Sequence, residues 1–94
     1  MKEYFVYILA SKNNKVIYIG ITDDLVGRVW QHKNDVIEGF TKRYQVHKLV
    51  YYEIIEDVAE AILREKRMKR WKRQWKNNVI NKFNHNWDDV YDQL

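Results

Sequence analysis

Tyr4-Phe5-Val6-Tyr7-Ile8-Leu9-Ala10 and Val16-Ile17-Tyr18-Ile19-Gly20-Ile21-Thr22 stand on either side of a polar cluster, Ser11-Lys12-Asn13-Asn14-Lys15. Both runs are rich in β-branched and aromatic residues and the segment between them is built of turn formers, so the pair reads as a β-hairpin. With the loop centred between Lys12 and Asn13, Tyr7 is expected directly across from Tyr18 on one face, and Phe5 across from Gly20.

Working outward, Thr22-Asp23-Asp24 supplies good helix N-caps, and Leu25, Val29, Trp30 and Val36 follow at roughly helical spacing. A first helix is expected from about Asp24 to Asn34. Residues 35–47 carry no clear period and contain Gly39, which reads as a long loop bearing Phe40, Thr41 and Tyr44. Leu49 to Ile55 reads as a third strand. Asp57, with Glu60 three residues on, caps a long helix beginning at Val58. Trp75, Val79, Ile80 and Phe83 then predict a short third helix covering the sheet, after a change of direction between Trp71 and Asn78.

The chain has 94 residues, 46% of them apolar and 32% charged, with no linker-like stretch. One compact domain over residues 1–94 is the expectation, and disorder is not. There is no cysteine, which removes disulfides, thiol nucleophiles and sulfur-ligated zinc and leaves oxygen or imidazole as metal ligands. Met1 to Ala10 lacks the pattern of a signal peptide and no apolar run approaches membrane-spanning length, so a cytosolic protein with no membrane partner is expected.

The net charge of +4 is unevenly placed. Eight of the thirteen residues from Arg64 to Lys76 are basic: Arg64, Lys66, Arg67, Lys69, Arg70, Lys72, Arg73 and Lys76. Such a run is commonly a solvated helix face. The interleaved Trp71 and Trp75 offer stacking surfaces and turn the reading towards a nucleic-acid contact surface.

Glu65 shares a helical stripe with Val58, Ala61, Ile62 and Met68. A carboxylate on an apolar face calls for a cation, a metal or a raised pKa, although an ordinary ion pair with Lys69 at i+4 accounts for it equally well. Arg28 and His32, also i and i+4, project from one side of the first helix. Arg28 could donate to phosphate oxygens and His32 could move protons near neutral pH, or both could be surface residues. Tyr7 and Tyr18 could be no more than a cross-strand aromatic pair. As bases they would need help, because a free phenol titrates at about 10. His47 and His85 have no ligand partners at metal-binding spacing and read as structural. No phosphate-binding glycine loop, catalytic triad or carboxylate pair stands out.

In order along the chain, these residues resemble the GIY-YIG nuclease superfamily. Phe5-Val6-Tyr7 stands at the first triad and Tyr18-Ile19-Gly20 at the second, with Gly20 the glycine of the motif. Arg28 and His32 match the arginine and the histidine-or-tyrosine of the first helix, and Glu65 in Ala61-Ile62-Leu63-Arg64-Glu65 matches the helix-borne glutamate. The remainder is similar to the short stand-alone branch related to the nuclease domain of the bacterial excision-repair incision subunit, through Gly39-Phe40-Thr41, Leu49-Val50-Tyr51-Tyr52-Glu53 and the tryptophan-rich basic stretch. There are two departures: the first triad lacks its glycine, and Asn84-His85-Asn86-Trp87 has histidine where that branch usually has proline.

The resemblance implies an α+β fold in the order β-β-α-β-α-α, with a three-stranded, mostly antiparallel sheet. It further implies a concave site holding Tyr7, Tyr18, Arg28, His32 and Glu65, one Mg²⁺ or Mn²⁺ ion on Glu65, and endonuclease action on nucleic acid, DNA in repair or processing first. A footprint this small suggests weak, salt-dependent binding unless the chain forms a homodimer or docks on a larger repair partner. Two other readings remain: a nucleic-acid-binding module that keeps the fold without cutting, and a protein-interaction adaptor using exposed tryptophans.

Overall fold

The computed structural model describes residues 2–94. The hairpin forms as β1 (Tyr4–Ser11) and β2 (Ile17–Thr22), followed by α1 (Leu25–Lys33), α2 (Phe40–Tyr44), β3 (Val46–Ile55), α3 (Val58–Arg70), α4 (Arg73–Phe83) and a 3₁₀ turn at Tyr91–Gln93. The sheet order is β2-β1-β3 and both pairings are antiparallel. The architecture is therefore α+β, with a wholly antiparallel sheet among the described residues.

β1 is the central strand, and that explains its lack of polar alternation. Val6, Ile8 and Ala10 face one core, with Ile19, Met68 of α3 and Ile80 of α4. Tyr7 and Leu9 face the other, with Leu25 and Val29 of α1. A strand covered on both sides must be apolar at odd and even positions alike, and each large side chain so buried contributes about 1.5–3 kcal/mol. A register shift between Ile8 and Leu9 leaves an extra residue in β3. Consequently Val50 and its neighbour Tyr51 both enter the first core.

The hairpin register differs from the expectation. Ser11 N–H donates to the Val16 carbonyl at 2.9 Å and the turn is centred between Asn13 and Asn14, with Asn14 at φ 63°. Asn tolerates that conformation. The Asn13 carboxamide oxygen ties the turn, accepting from Ser11 Oγ and Lys15 N–H. Moving the centre by one residue shifts the pairing by two, so Tyr7 lies opposite Gly20, Tyr18 opposite Leu9, and Phe5 opposite Thr22. The faces are preserved because strand parity is unchanged, and Tyr7 and Tyr18 become diagonal neighbours.

The supposed loop over residues 35–47 is also different. It contains α2, a helix too short to leave a periodic signature, and β3 begins at Val46 rather than Leu49. Gly39, at φ 118°, is the N-cap of α2, and Gln45 in the left-handed region closes it. The described residues thus form four helices where about three were expected. Trp30 and Val36, counted in the first apolar stripe, are 52% and 56% exposed, and the buried stripe of α1 is Leu25, Val29 and His32.

The N-caps behave as the sequence suggests. Asp24 accepts from Gly27 N–H and Asp57 from Glu60 N–H. Gly27 serves the first of these, because a Cβ there would stand 2.2 Å from an Asp24 carboxylate oxygen. The chain turns at Trp71 and Lys72, both extended, and then runs into α4. The C-terminal segment latches onto β3: Val90 N–H donates to the Leu49 carbonyl at 2.9 Å, and Asp89 Oδ1 accepts from Leu49 N–H at 3.1 Å. Asn84 holds the turn before it, donating to the Val50 and Asp88 carbonyls and accepting from Asp88 N–H. His85, beside it, is exposed.

Candidate active site

The site starts at Gly20. Because this residue has no side chain, the Tyr7 ring can lie across the neighbouring strand; a Cβ would come within 2.4 Å of Tyr7 Cζ and of its hydroxyl. The phenol is thereby directed to α1, where its oxygen is 3.0 Å from His32 Nε2. On the other side of the ring, His32 Nδ1 is 2.8 Å from Thr41 Oγ1 of α2. Tyr7, His32 and Thr41 are 1%, 2% and 3% exposed, so three elements are joined by a buried, fully satisfied chain of hydrogen bonds. Hydroxyls on both sides allow either imidazole tautomer.

Environment sets the charge states. Burial lowers the His32 pKa, and the positive field of Arg28 and the nearby His47 lower it further. The imidazole is neutral at pH 7. Tyr7 shifts in the opposite sense: burial raises its pKa well above the ordinary phenol range, Tyr18 and Glu65 add to the rise, and Arg28 only partly offsets them. The phenol is therefore held protonated instead of being drawn down towards a base. Arg28 stands on α1 and Glu65 on α3.

Tyr18 is the more open tyrosine, half-buried, with its ring 6.4 Å from Tyr7 and 5.4 Å from His32. Arg28 is exposed. The Glu65 side chain is 14% exposed and meets Lys69 Nζ at 2.9 Å, so the i+4 ion pair weighed in the sequence does form. The apolar stripe proposed for α3 is partial. Ala61 and Met68 are buried, whereas Val58 and Ile62 are 45% and 42% exposed. Among the described residues no three His, Asp or Glu side chains gather into a metal cage.

The basic run divides. Arg64 donates twice to the Glu53 carboxylate, at 3.0 and 3.2 Å, and lies over the Trp71 ring. Arg73 donates to the carbonyls of Asn14 and Lys15 and so anchors the hairpin turn. Lys76 reaches the Lys69 carbonyl, and Lys72 sits over Trp75. Lys66, Arg67 and Arg70 are exposed and, among the described residues, have no ion-pair partner. Hence Arg64 and Arg73 serve the fold, and the run is not one uniform contact face. Trp71, half-buried against the first core, is likewise no free stacking surface, while Trp75 is 51% exposed. His47 pairs with Asp35 at 2.8 Å.

Lys69 and Lys76 also line a groove of about 320 Å³ beside β2, together with Tyr18 and Phe40. Sequence reading missed two parts of this site. Thr41 had no role, since nothing in a single sequence links it to His32 nine residues away. Phe40 and Tyr44 were placed in a structureless loop.

The arrangement defines a class: the GIY-YIG catalytic domain model matches residues 3–78, and the chain belongs to the GIY-YIG nuclease family. Its particular relatives are UPF0213 proteins, a stand-alone group within that family. It is 31% identical to one from Staphylococcus saprophyticus over 80 residues, covering 85% of this chain and 96% of the relative. It is 37% identical over 81 residues to another from Staphylococcus aureus strain Mu3, with the same coverage. The solution NMR structure of the UPF0213 protein BH0048 from Bacillus halodurans is similar, with a TM-score of 0.54, 25% identity, and 84% of this chain and 83% of that one covered. Membership in this family implies a nucleic-acid substrate. Among the described residues no helix is long and apolar enough to cross a membrane.

Proposed function

We propose that this protein is a divalent-metal-dependent endonuclease that hydrolyses phosphodiester bonds, with DNA in repair or processing as its substrate. The observation that carries the reading is the buried chain from Tyr7 through His32 to Thr41, with Tyr18 beside it. A neutral histidine joined to a protonated phenol is a proton acceptor with its relay attached.

The donor set fits one hard cation. Glu65 offers a largely buried carboxylate without companions, and Mg²⁺ or Mn²⁺ commonly binds through one carboxylate plus water and substrate phosphate, in contrast to the closed cages of structural zinc. When bound, such an ion polarises the phosphate and the leaving oxygen. Glu65 would hold it, exchanging Lys69 for the metal.

The protein groups take complementary parts. As water adds to phosphorus and the P–O bond to the leaving oxygen breaks, the water proton passes towards His32. Tyr7 relays it by accepting one proton and donating its own to Nε2, so no tyrosinate forms where burial opposes one. The Thr41 hydroxyl accepts from Nδ1–H of the resulting imidazolium. Tyr18 orients the attack from the open side. Arg28 donates to phosphate oxygens and stabilises the charge that develops on them.

A second reading, a nucleic-acid-binding module without catalysis, draws on the Glu65–Lys69 ion pair, which satisfies the carboxylate with no metal. One experiment separates the two. Labelled single-stranded, duplex, flap and branched DNA and RNA are incubated with Mg²⁺, Mn²⁺ or EDTA, using wild type and a folded Glu65→Ala variant. Metal-dependent cutting that disappears in the variant supports the nuclease; binding without cutting of any substrate overturns it in favour of the module.

A further inference from the structure

α2 spends its five residues oddly. It buries only Thr41, the partner of His32, and leaves Phe40 and Tyr44 46% and 45% exposed. The two rings lie 4.8 Å apart, and Phe40 stacks at 29° on Tyr18, with centroids 6.2 Å apart. A row of aromatics therefore runs from the candidate active site to the surface. A helix this short has little intrinsic stability, and two large exposed aromatics do nothing for its burial.

Two grooves that carry lysines adjoin the row. The groove that Phe40 and Tyr18 line is also lined by Lys69 and Lys76. Tyr44 borders a second groove with Lys12 and Lys15 of the hairpin turn. Arg43 lies over the Tyr44 ring at 5.4 Å. The nearby carboxylate, Glu38, is already held by Lys42 at 2.8 Å. Exposed rings edged by lysines match a strand with flat apolar bases and a charged backbone, and stacking accepts any base because each has a π-face.

We propose that Phe40 and Tyr44 form a stacking platform for unpaired bases, so that the favoured substrate presents a single-stranded segment next to the bond that is cut. This rests on the nuclease reading for the cut itself but not for the binding. The Thr41–His32 bond makes the platform and the proton acceptor parts of one rigid unit. A base seated on Phe40 thus positions its own backbone near Tyr18.

The test uses the full chain in EDTA with short DNA containing 2-aminopurine, whose fluorescence is quenched on stacking, as a single strand or within a blunt duplex. Wild type is expected to quench the single strand. Phe40→Ala/Tyr44→Ala should abolish quenching and weaken single-strand binding on the order of tenfold or more, with blunt-duplex affinity unchanged. Phe40→Trp should retain quenching, and Phe40→Leu, which keeps the apolar volume for folding, should lose it. Unaltered quenching and affinity in the folded double variant, or in Phe40→Leu, overturns the platform. If wild type stacks the base yet cuts nothing with Mg²⁺ or Mn²⁺, the platform stands and the nuclease reading fails. If wild type and double variant cut the same substrates with the same KM, the platform fails and the nuclease stands.

Discussion

Tyr7 and Gly20 are directly paired across β1 and β2, and the phenol ring occupies the space where a side chain at position 20 would be. Gly20→Ala should therefore expel the ring and break its bond to His32. Overpacking of this kind costs about 1–3 kcal/mol, which urea denaturation would register. Gly27→Ala strikes the Asp24 cap instead and should lower stability while leaving the His32 resonances in place. NMR spectra of the two variants compare them directly, and an unmoved His32 in Gly20→Ala would refute the packing argument.

His32 gives a pH signature. Burial, then Arg28 and His47, lower its pKa, so the unfolded chain takes up a proton before the folded one does. Its contribution to stability should be complete above the ordinary midpoint of about 6.5 and should decline as pH falls through that value towards the lowered one. NMR titration of the imidazole is expected to give a midpoint below 6.5. A midpoint at or above it would contradict the neutral-imidazole relay.

Lys69 pairs with Glu65, the carboxylate proposed to bind metal. Lys69→Ala should lower the Mg²⁺ concentration needed for half-maximal cleavage by about two- to fivefold, the worth of a partly exposed ion pair. Binding of nucleic acid should weaken at the same time, because Lys69 also lines the groove beside Tyr18. Titrating metal and substrate separately distinguishes the two effects.

Arg64 should behave as a structural residue. Losing its paired bonds to Glu53 is expected to cost about 1–3 kcal/mol, with the salt dependence of nucleic-acid binding unchanged. Lys12→Ala/Lys15→Ala should do the reverse. Each lost phosphate contact reduces the slope of log K against log salt by about 0.7–0.9, which fluorescence anisotropy across a salt series would measure.

Asp89 fastens the tail to β3. Burial alone would raise its pKa, but hydrogen bonds from Lys33 and from the backbone N–H groups of Tyr91 and Leu49 prevail and hold it below the ordinary carboxylate value. Asp89→Ala should lose about 1–3 kcal/mol at neutral pH. The stabilisation is present above the ordinary value of about 3.9 and is lost as pH falls through the lowered one, so wild type and variant should converge in acid. Thermal melts from neutral pH downward would follow it.

Much of this was legible without coordinates because it depends on neighbours in sequence. The hairpin, the caps at Asp24 and Asp57, and the long helix from Val58 follow from local propensity and periodicity. The parity of the strands put Tyr7 and Tyr18 on one face even though the turn was centred one residue too early. The ordered set of Tyr7, Tyr18, Arg28, His32 and Glu65 was enough to identify the family.

Long-range packing decided the rest. Whether Tyr7 faces Gly20 or Tyr18 depends on how Ser11 and Asn13 close the turn, a matter of hydrogen bonds that composition does not rank. α2 exists because Thr41 bonds to His32 and Gly39 caps its start, since five residues have too little helical preference of their own. Arg64 and Lys69 are alike in sequence, yet one is committed to Glu53 and the other borders the candidate site. The sequence by itself determined which chemical groups this protein carries and on which elements, because those are properties of short segments. Which of them are buried, neutral, paired or open to a substrate was decided only in the tertiary structure, where desolvation and partners from distant segments set each group's state.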